Sequence, residues 1–180
     1  MLPSLLRVMY APLDYIHPHY FQGPAISMPP ALQQAINHAL IKRFSLTTSI
    51  DFKLQSSDFS HLLVQHWSLI PEVAWLLGCK LARGSLARNG YLATLPGVAR
   101  QFIELPLACS PCELNGEPTT EAIRQHGARY LFLLKQQLPV ALAQRLGLLF
   151  APQNGADSQA AILNRSLLTF AFDYAKNFKH

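Results

Sequence analysis

Apolar residues recur at helical spacing along most of the chain, and the densest run begins at Ile70. Pro71 suits the first turn of a helix, where the leading N–H groups have no intrahelical partner. Val73, Leu76, Leu77, Lys80 and Leu81 follow at the spacing that lines one side of a helix. Gly84-Ser85 interrupts the pattern, and Ser85 is placed to cap a second short helix by accepting a backbone N–H. Thr94 is placed to cap a third, with Val98, Phe102 and Leu105 on one side. Arg83, Arg88 and Arg100 are left for the other side. Residues 70–105 therefore read as a helical wedge, apolar inside and basic outside, about which the rest of the chain is organised.

The flanking pattern is also helical. Pro29-Pro30 launches a helix over 31–44 with a stripe of Leu32, Ala35, Ile36, Ala39, Leu40 and Phe44, while Gln33, Gln34, Asn37, Lys42 and Arg43 face away. Residues 45–57 are polar and β-branched and read as a loop. Ser57 or Asp58 is expected to cap a helix over 59–69, with Leu62, Leu63, His66 and Leu69 inward. Pro106, Pro111, Asn115, Gly116 and Pro118 make 106–118 a connector. Thr119 or Thr120 should cap a long helix over 121–137, with Ile123, Tyr130, Leu131, Leu134 and Leu138 in the core and Gly127 admitting a close neighbour. Pro139 opens a helix over 140–150. After a turn at 152–155, Asp157 or Ser158 should cap a last helix over 159–177. Its stripe is Leu163, Leu167, Phe170, Tyr174 and Phe178, widened by Leu168 and Phe172.

Residues 1–30 hold six of the thirteen prolines, a density that forbids long helices. Tyr10, Tyr15, Ile16, Tyr20 and Phe21 are too aromatic for a disordered tail. A short helix is expected near 12–20, in an otherwise irregular arm packed on the body. No run alternates with period two. The expected fold class is all-α, a single domain over 1–180 built as one orthogonal helical bundle of about seven or eight helices with a Pro-rich N-terminal arm.

Composition narrows the role. Half of the 180 residues are hydrophobic but only 14% are charged, against roughly 25% in an ordinary soluble domain. So few charges suggest that another protein covers part of the surface. The net charge of +5 is mild and scattered, with no polybasic run of the kind that wraps nucleic acid or docks on anionic lipid. Three cysteines are not a disulfide framework and favour a reducing compartment. No apolar run approaches the roughly 20 residues that span a bilayer. The first residues lack a charged region followed by an apolar one, so no signal peptide is expected.

Candidate chemistry is sparse. Cys109-Ser-Pro-Cys112 has redox-motif spacing, but it sits in a Pro-rich connector and lacks a second ligand pair for zinc. His17 and His19 flank a proline, and His61 and His66 are five apart, on different sides of a helix. Gly78-Cys-Lys-Leu-Ala-Arg-Gly84-Ser85 resembles a phosphate loop only superficially, because Lys80 precedes the second glycine. It reads as a helix end. Lys80, Arg83, Arg88 and Arg100 form the one charged grouping with a common location, which reads either as an ordinary solvated face or as a docking patch for an acidic partner.

Leu6-Arg-Val-Met-Tyr-Ala-Pro-Leu-Asp-Tyr15, Phe44-Ser-Leu46, Leu76-Leu-Gly-Cys-Lys-Leu-Ala-Arg-Gly-Ser-Leu-Ala-Arg88, Ile123-Arg-Gln-His-Gly127 and Pro139-Val-Ala-Leu-Ala-Gln-Arg-Leu-Gly-Leu148 follow one another along the chain. In that order they resemble the SctK/YscK-type accessory proteins of bacterial type III secretion systems. The Cys109–Cys112 connector has no counterpart in that pattern. The resemblance implies a non-enzymatic, largely helical cytoplasmic adaptor of the injectisome sorting platform, at the cytoplasmic face of the inner membrane. It would link the cytoplasmic domain of the inner-membrane ring protein to the pod protein, which holds the stator and ATPase, and so support effector export. No catalytic residue, cofactor, metal, nucleic acid or direct membrane insertion is implied. The alternative is a small basic helical nucleic-acid-binding or regulatory protein, whose binding would fall steeply with salt.

Overall fold

The helical spacing is realised in the computed structural model, which describes residues 3–23, 28–55, 58–88, 90–114, 116–152 and 163–177. Among the described residues there are nine α-helices and no strand, so the protein is all-α. They are α1 (Pro3–Tyr10), α2 (Pro30–Arg43), α3 (Phe59–Gln65), α4 (Ile70–Leu81), α5 (Arg83–Arg88), α6 (Gly97–Glu104), α7 (Thr120–Phe132), α8 (Val140–Leu148) and α9 (Arg165–Lys176). Four short 3-10 turns join them, at Pro12–Asp14, Trp67–Leu69, Tyr91–Thr94 and Leu133–Gln137. The chain groups into two compact units: Met1–Ser68 with Lys135–Pro152, and Leu69–Leu134 with Gln153–His180.

The second unit is built around α4. The sequence suggests a helix with one apolar side, but Val73, Ala74, Leu76, Leu77, Gly78, Cys79, Lys80 and Leu81 are all buried. A helix apolar on nearly every side has to be surrounded, and α5, α6, α7 and α9 all pack on it. The crossing with α7 is set by two glycines. A Cβ on Gly78 would lie 1.9 Å from the carbonyl oxygen of Ile123, and one on Gly127 would lie 1.7 Å from that of Ala74. The two backbones touch, which only glycine permits on both sides.

α7 starts where the sequence indicates. Thr119 accepts the Ala122 N–H at 3.1 Å. Ile123, Tyr130, Leu131 and Leu134 are buried as expected, although the α-helix stops at Phe132 and tightens into a 3-10 turn. α9 agrees with expectation in burying Leu167, Leu168 and Phe172 and differs in its cap and at Phe170. Its cap is Asn164, whose side chain accepts the Leu167 N–H at 3.2 Å. The caps Asp157 and Ser158, and Phe178, lie outside the described residues. The inward side is Leu167, Leu168, Ala171, Phe172 and Ala175, leaving Phe170 43% exposed. Alanines flanked by large residues mark the buried face here better than the spacing of aromatics does.

In the first unit the opening arm is more regular than its prolines suggest. Pro3 begins α1, where its missing N–H costs nothing. The proline-free stretch that follows buries Leu5, Val8 and Met9. The helix expected near 12–20 is only the 3-10 turn Pro12–Asp14. Ile16, Leu40, Leu46 and Leu148 form a small core, with Leu13, Tyr15, Tyr20, Phe21, Ile36, Ile41 and Phe44 against it. Tyr15 donates to the Val8 carbonyl at 2.8 Å and meets Trp67 edge-on at 5.6 Å. Of the residues expected inward over 59–69, Leu63 and Leu69 are buried and Leu62 and His66 half-buried, while Ser60 and Val64 join the buried side and the α-helix ends at Gln65. Ser57 lies outside the described residues, and Asp58 precedes α3 without capping it through its side chain.

α2 ends in a Schellman turn. Leu46 N–H donates to Ile41 O at 3.0 Å and Ser45 N–H to Lys42 O at 3.1 Å. This geometry puts Ser45 at φ 48°, the left-handed position normally given to glycine.

Candidate partner interface

The four cations that the sequence groups together are divided by the structure. Lys80 is interior. Its ammonium donates to the carbonyls of Ile103 (3.0 Å) and Leu105 (2.7 Å) and lies 5.8 Å from the centre of the Phe102 ring. A cation placed on the last carbonyls of a helix satisfies groups that the helix cannot satisfy itself and opposes its dipole. Burial pulls its pKa below the ordinary lysine value, with Cys109 opposing and Arg83 adding to the fall. Lys80 therefore pins α6 to α4, and its assignment to an exposed patch is corrected: at 6% exposure it has no surface to offer.

Arg83, Arg88 and Arg100 are exposed. Arg83 and Arg88 sit on α5, and Arg100 on α6. Arg88 is partly neutralised by Glu113 at 3.0 Å, both side chains being mostly in solvent. Among the described residues Arg83 and Arg100 form no ion pair. Between the two helices the turn Tyr91–Thr94 carries Tyr91, 38% exposed. From Arg83 to Arg100 the chain has three arginines and no carboxylate. Tyrosine and arginine are both enriched at protein–protein interfaces relative to the rest of a protein surface.

The expected caps in this segment act differently. Ser85 lies within α5, and its hydroxyl accepts the Leu114 N–H at 3.1 Å and is reached by Arg88 at 3.4 Å. Thr94 donates to the Tyr91 carbonyl at 2.8 Å, and α6 starts after Pro96 without a side-chain cap. The Ser85 bond shows what the 106–118 connector does. With the Cys112 N–H donating to Leu81 O at 2.9 Å, it laces the connector along α4 and α5. Asn164 also fastens this connector, donating to Ala108 O at 3.1 Å.

No reactive centre emerges from the cysteines. All three are free thiols. Burial pushes the Cys79 thiol up to about 12 and the Cys112 thiol up to about 11, whereas a nucleophilic cysteine needs a lowered value. Among the described residues no three His, Cys, Asp or Glu side chains gather as a metal site. No helix among them is long and apolar enough to cross a membrane.

Arg145 escaped the sequence reading. It is fully buried in the first unit, donating to the carbonyls of Met9 (2.7 Å), Thr47 (2.9 Å) and Ala141 (2.8 Å). It ties α1, the 45–55 loop and α8 together. Its place on the buried side of α8, beside Leu142 and Leu146, was the available signal.

Residues 5–177 match the family model described as bacterial type III secretion apparatus protein (OrgA_MxiK). The chain is 32% identical to the oxygen-regulated invasion protein OrgA of Salmonella typhimurium over 173 residues, 96% of this chain and 86% of that protein. It is 30% identical to the putative uncharacterized protein YgeO of Escherichia coli over 94 residues, 48% of this chain and 64% of that protein. No solved structure matches.

Proposed function

The chain belongs to the OrgA_MxiK family of bacterial type III secretion apparatus proteins, and from that premise we propose that it is a non-enzymatic adaptor of the sorting platform. It works at the cytoplasmic face of the inner membrane. It joins the cytoplasmic domain of the ring protein to the pod protein, through which it acts on the stator and ATPase. One of its two docking surfaces is formed by α5, the Tyr91 turn and α6. The observation that carries this assignment is the acid-free run from Arg83 to Arg100, with exposed Arg83 and Arg100 unpaired among the described residues. Opposite charge on a partner would guide encounter and fix register. Apolar contact at Tyr91 would supply the holding energy.

The test is charge reversal. Arg83→Glu with Arg100→Glu should lower the association rate with one partner by about tenfold at low salt, with the difference shrinking as salt rises. Folding should be unchanged, because both side chains are exposed. Effector export in a strain lacking the native gene should fall in step. Undiminished binding at low salt would remove this surface. A mobility shift of mixed DNA or RNA by the wild-type chain, steeply weakened by salt, would favour the nucleic-acid reading instead.

A further inference from the structure

α2 carries the plainest disagreement between pattern and burial. Its stripe of Leu32, Ala35, Ile36, Ala39, Leu40 and Phe44 reads as one buried face. Only part of it is covered: Ile36, Leu40 and Phe44 turn inward with Ile41. Leu32 is 47% exposed, and Ala35 and Ala39 are also exposed. At about 100° per residue these three share an arc of about 60°, and Lys42 and Arg43 border it at the C-terminal end. The Arg43 guanidinium stands over the Phe44 ring at 5.4 Å, which holds it in place.

We propose that this bare face of α2 seats an apolar helix of a partner subunit, with carboxylates of that helix against Lys42 and Arg43. The inference rests on the adaptor reading and assigns its second docking surface, in the first unit. Charge selects the occupant. α2 contains two cations and no carboxylate. Asp14, on the 3-10 turn packed against α2, is already taken by Arg7 at 2.6 Å. Among the described residues Lys42 and Arg43 have no carboxylate partner.

A second copy of the chain fits badly. Paired in parallel, two α2 helices would bring their cations together. Paired antiparallel, each would lay Lys42 and Arg43 against the positive N-terminal end of the other. An anionic membrane is also a poor occupant, since a single leucine among alanines offers too little apolar area to insert. An apolar helix with acidic residues at one end satisfies both halves of the face. The alanines let its backbone come close, and Leu32 fills the space beside it.

The experiment titrates the full-length chain against two purified probes, the ring protein's cytoplasmic domain and the pod protein. Leu32→Asp should weaken binding to one of them by about thirtyfold or more. Lys42→Glu with Arg43→Glu should weaken the same one by about tenfold, less so at high salt. Binding to the other probe should be unchanged, and all variants should keep the wild-type melting temperature. If the wild type binds but the α2 variants bind equally well, this inference fails and the adaptor reading stands. If the wild type binds neither probe, both fall. Loss with Leu32→Asp alone would remove the acidic partner. A self-association, or an attachment to phosphatidylglycerol vesicles, that Leu32→Asp abolishes would replace the partner helix with a second copy or a lipid surface.

Discussion

α4 and α2 begin from similar sequences and end in opposite surroundings. Each opens with a proline in its first turn, carries several aliphatic residues at helical spacing and has few charges. α4 is enclosed by four other helices, whereas more than half of α2 faces solvent. Side-chain size makes the difference. α4 offers Ile, Val, Leu and Trp on several sides and a glycine where α7 crosses. The outer stripe of α2 is largely alanine, which is apolar enough to tolerate burial but too small to enforce it. The two units close their cores by different means. The second brings two backbones into contact at Gly78 and Gly127. The first threads a buried arginine through three carbonyls.

The strongest way to break this contrast is to separate α4 from α7. Gly127→Ala places a methyl on the Ala74 carbonyl and should cost about 3 kcal/mol or more in denaturant unfolding, because backbone cannot move aside as a side chain can. Arg145→Leu should cost a similar or slightly smaller amount, about 3 kcal/mol, by leaving the Met9 and Thr47 carbonyls of the first unit without this donor. Two substitutions sharpen the contrast with the opposite sign. Ser45→Gly should stabilise by about 0.5–1 kcal/mol by relieving the left-handed residue after α2. Gly84→Ala in α5, where a Cβ meets nothing within 4 Å, should gain about 0.5 kcal/mol. A thermal or chemical denaturation series would show both as raised midpoints.

The smallest effect concerns pH. Burial, helped by Arg129, holds His126 on α7 below the ordinary histidine value. The unfolded chain then binds more protons than the folded one in the window just beneath about 6.5, so stability is full above that window and is lost as pH falls through it. His126→Gln should flatten that slope, measured as the melting temperature between about pH 7 and 5.

Much of the fold was legible locally. The prolines at 30, 71 and 139 and the Thr119 cap marked helix starts because a missing N–H or a hydroxyl acceptor is a property of the residue itself. The core of α7 was legible because its large residues recur on one side only, and Gly127 signalled a close neighbour without saying which. The candidate surface was only partly legible. Charge along the chain grouped Lys80 with Arg83, Arg88 and Arg100, but charge says nothing about depth, and Lys80 is interior. Ser85 and Thr94 have capping chemistry, yet a hydroxyl can serve any donor or acceptor that arrives, and a connector residue and a turn carbonyl reached them.

By itself, then, the order of residues determined that this chain is helical, where most helices start, and that its surface is unusually poor in charge, since each follows from backbone preference or composition. Only the tertiary structure decided that α4 is the enclosed helix, that Lys80 and Arg145 face carbonyls inside, and that half of the α2 stripe stays bare. Those outcomes depend on which partners arrive from distant parts of the chain, and helical spacing carries no record of what lies across from a face.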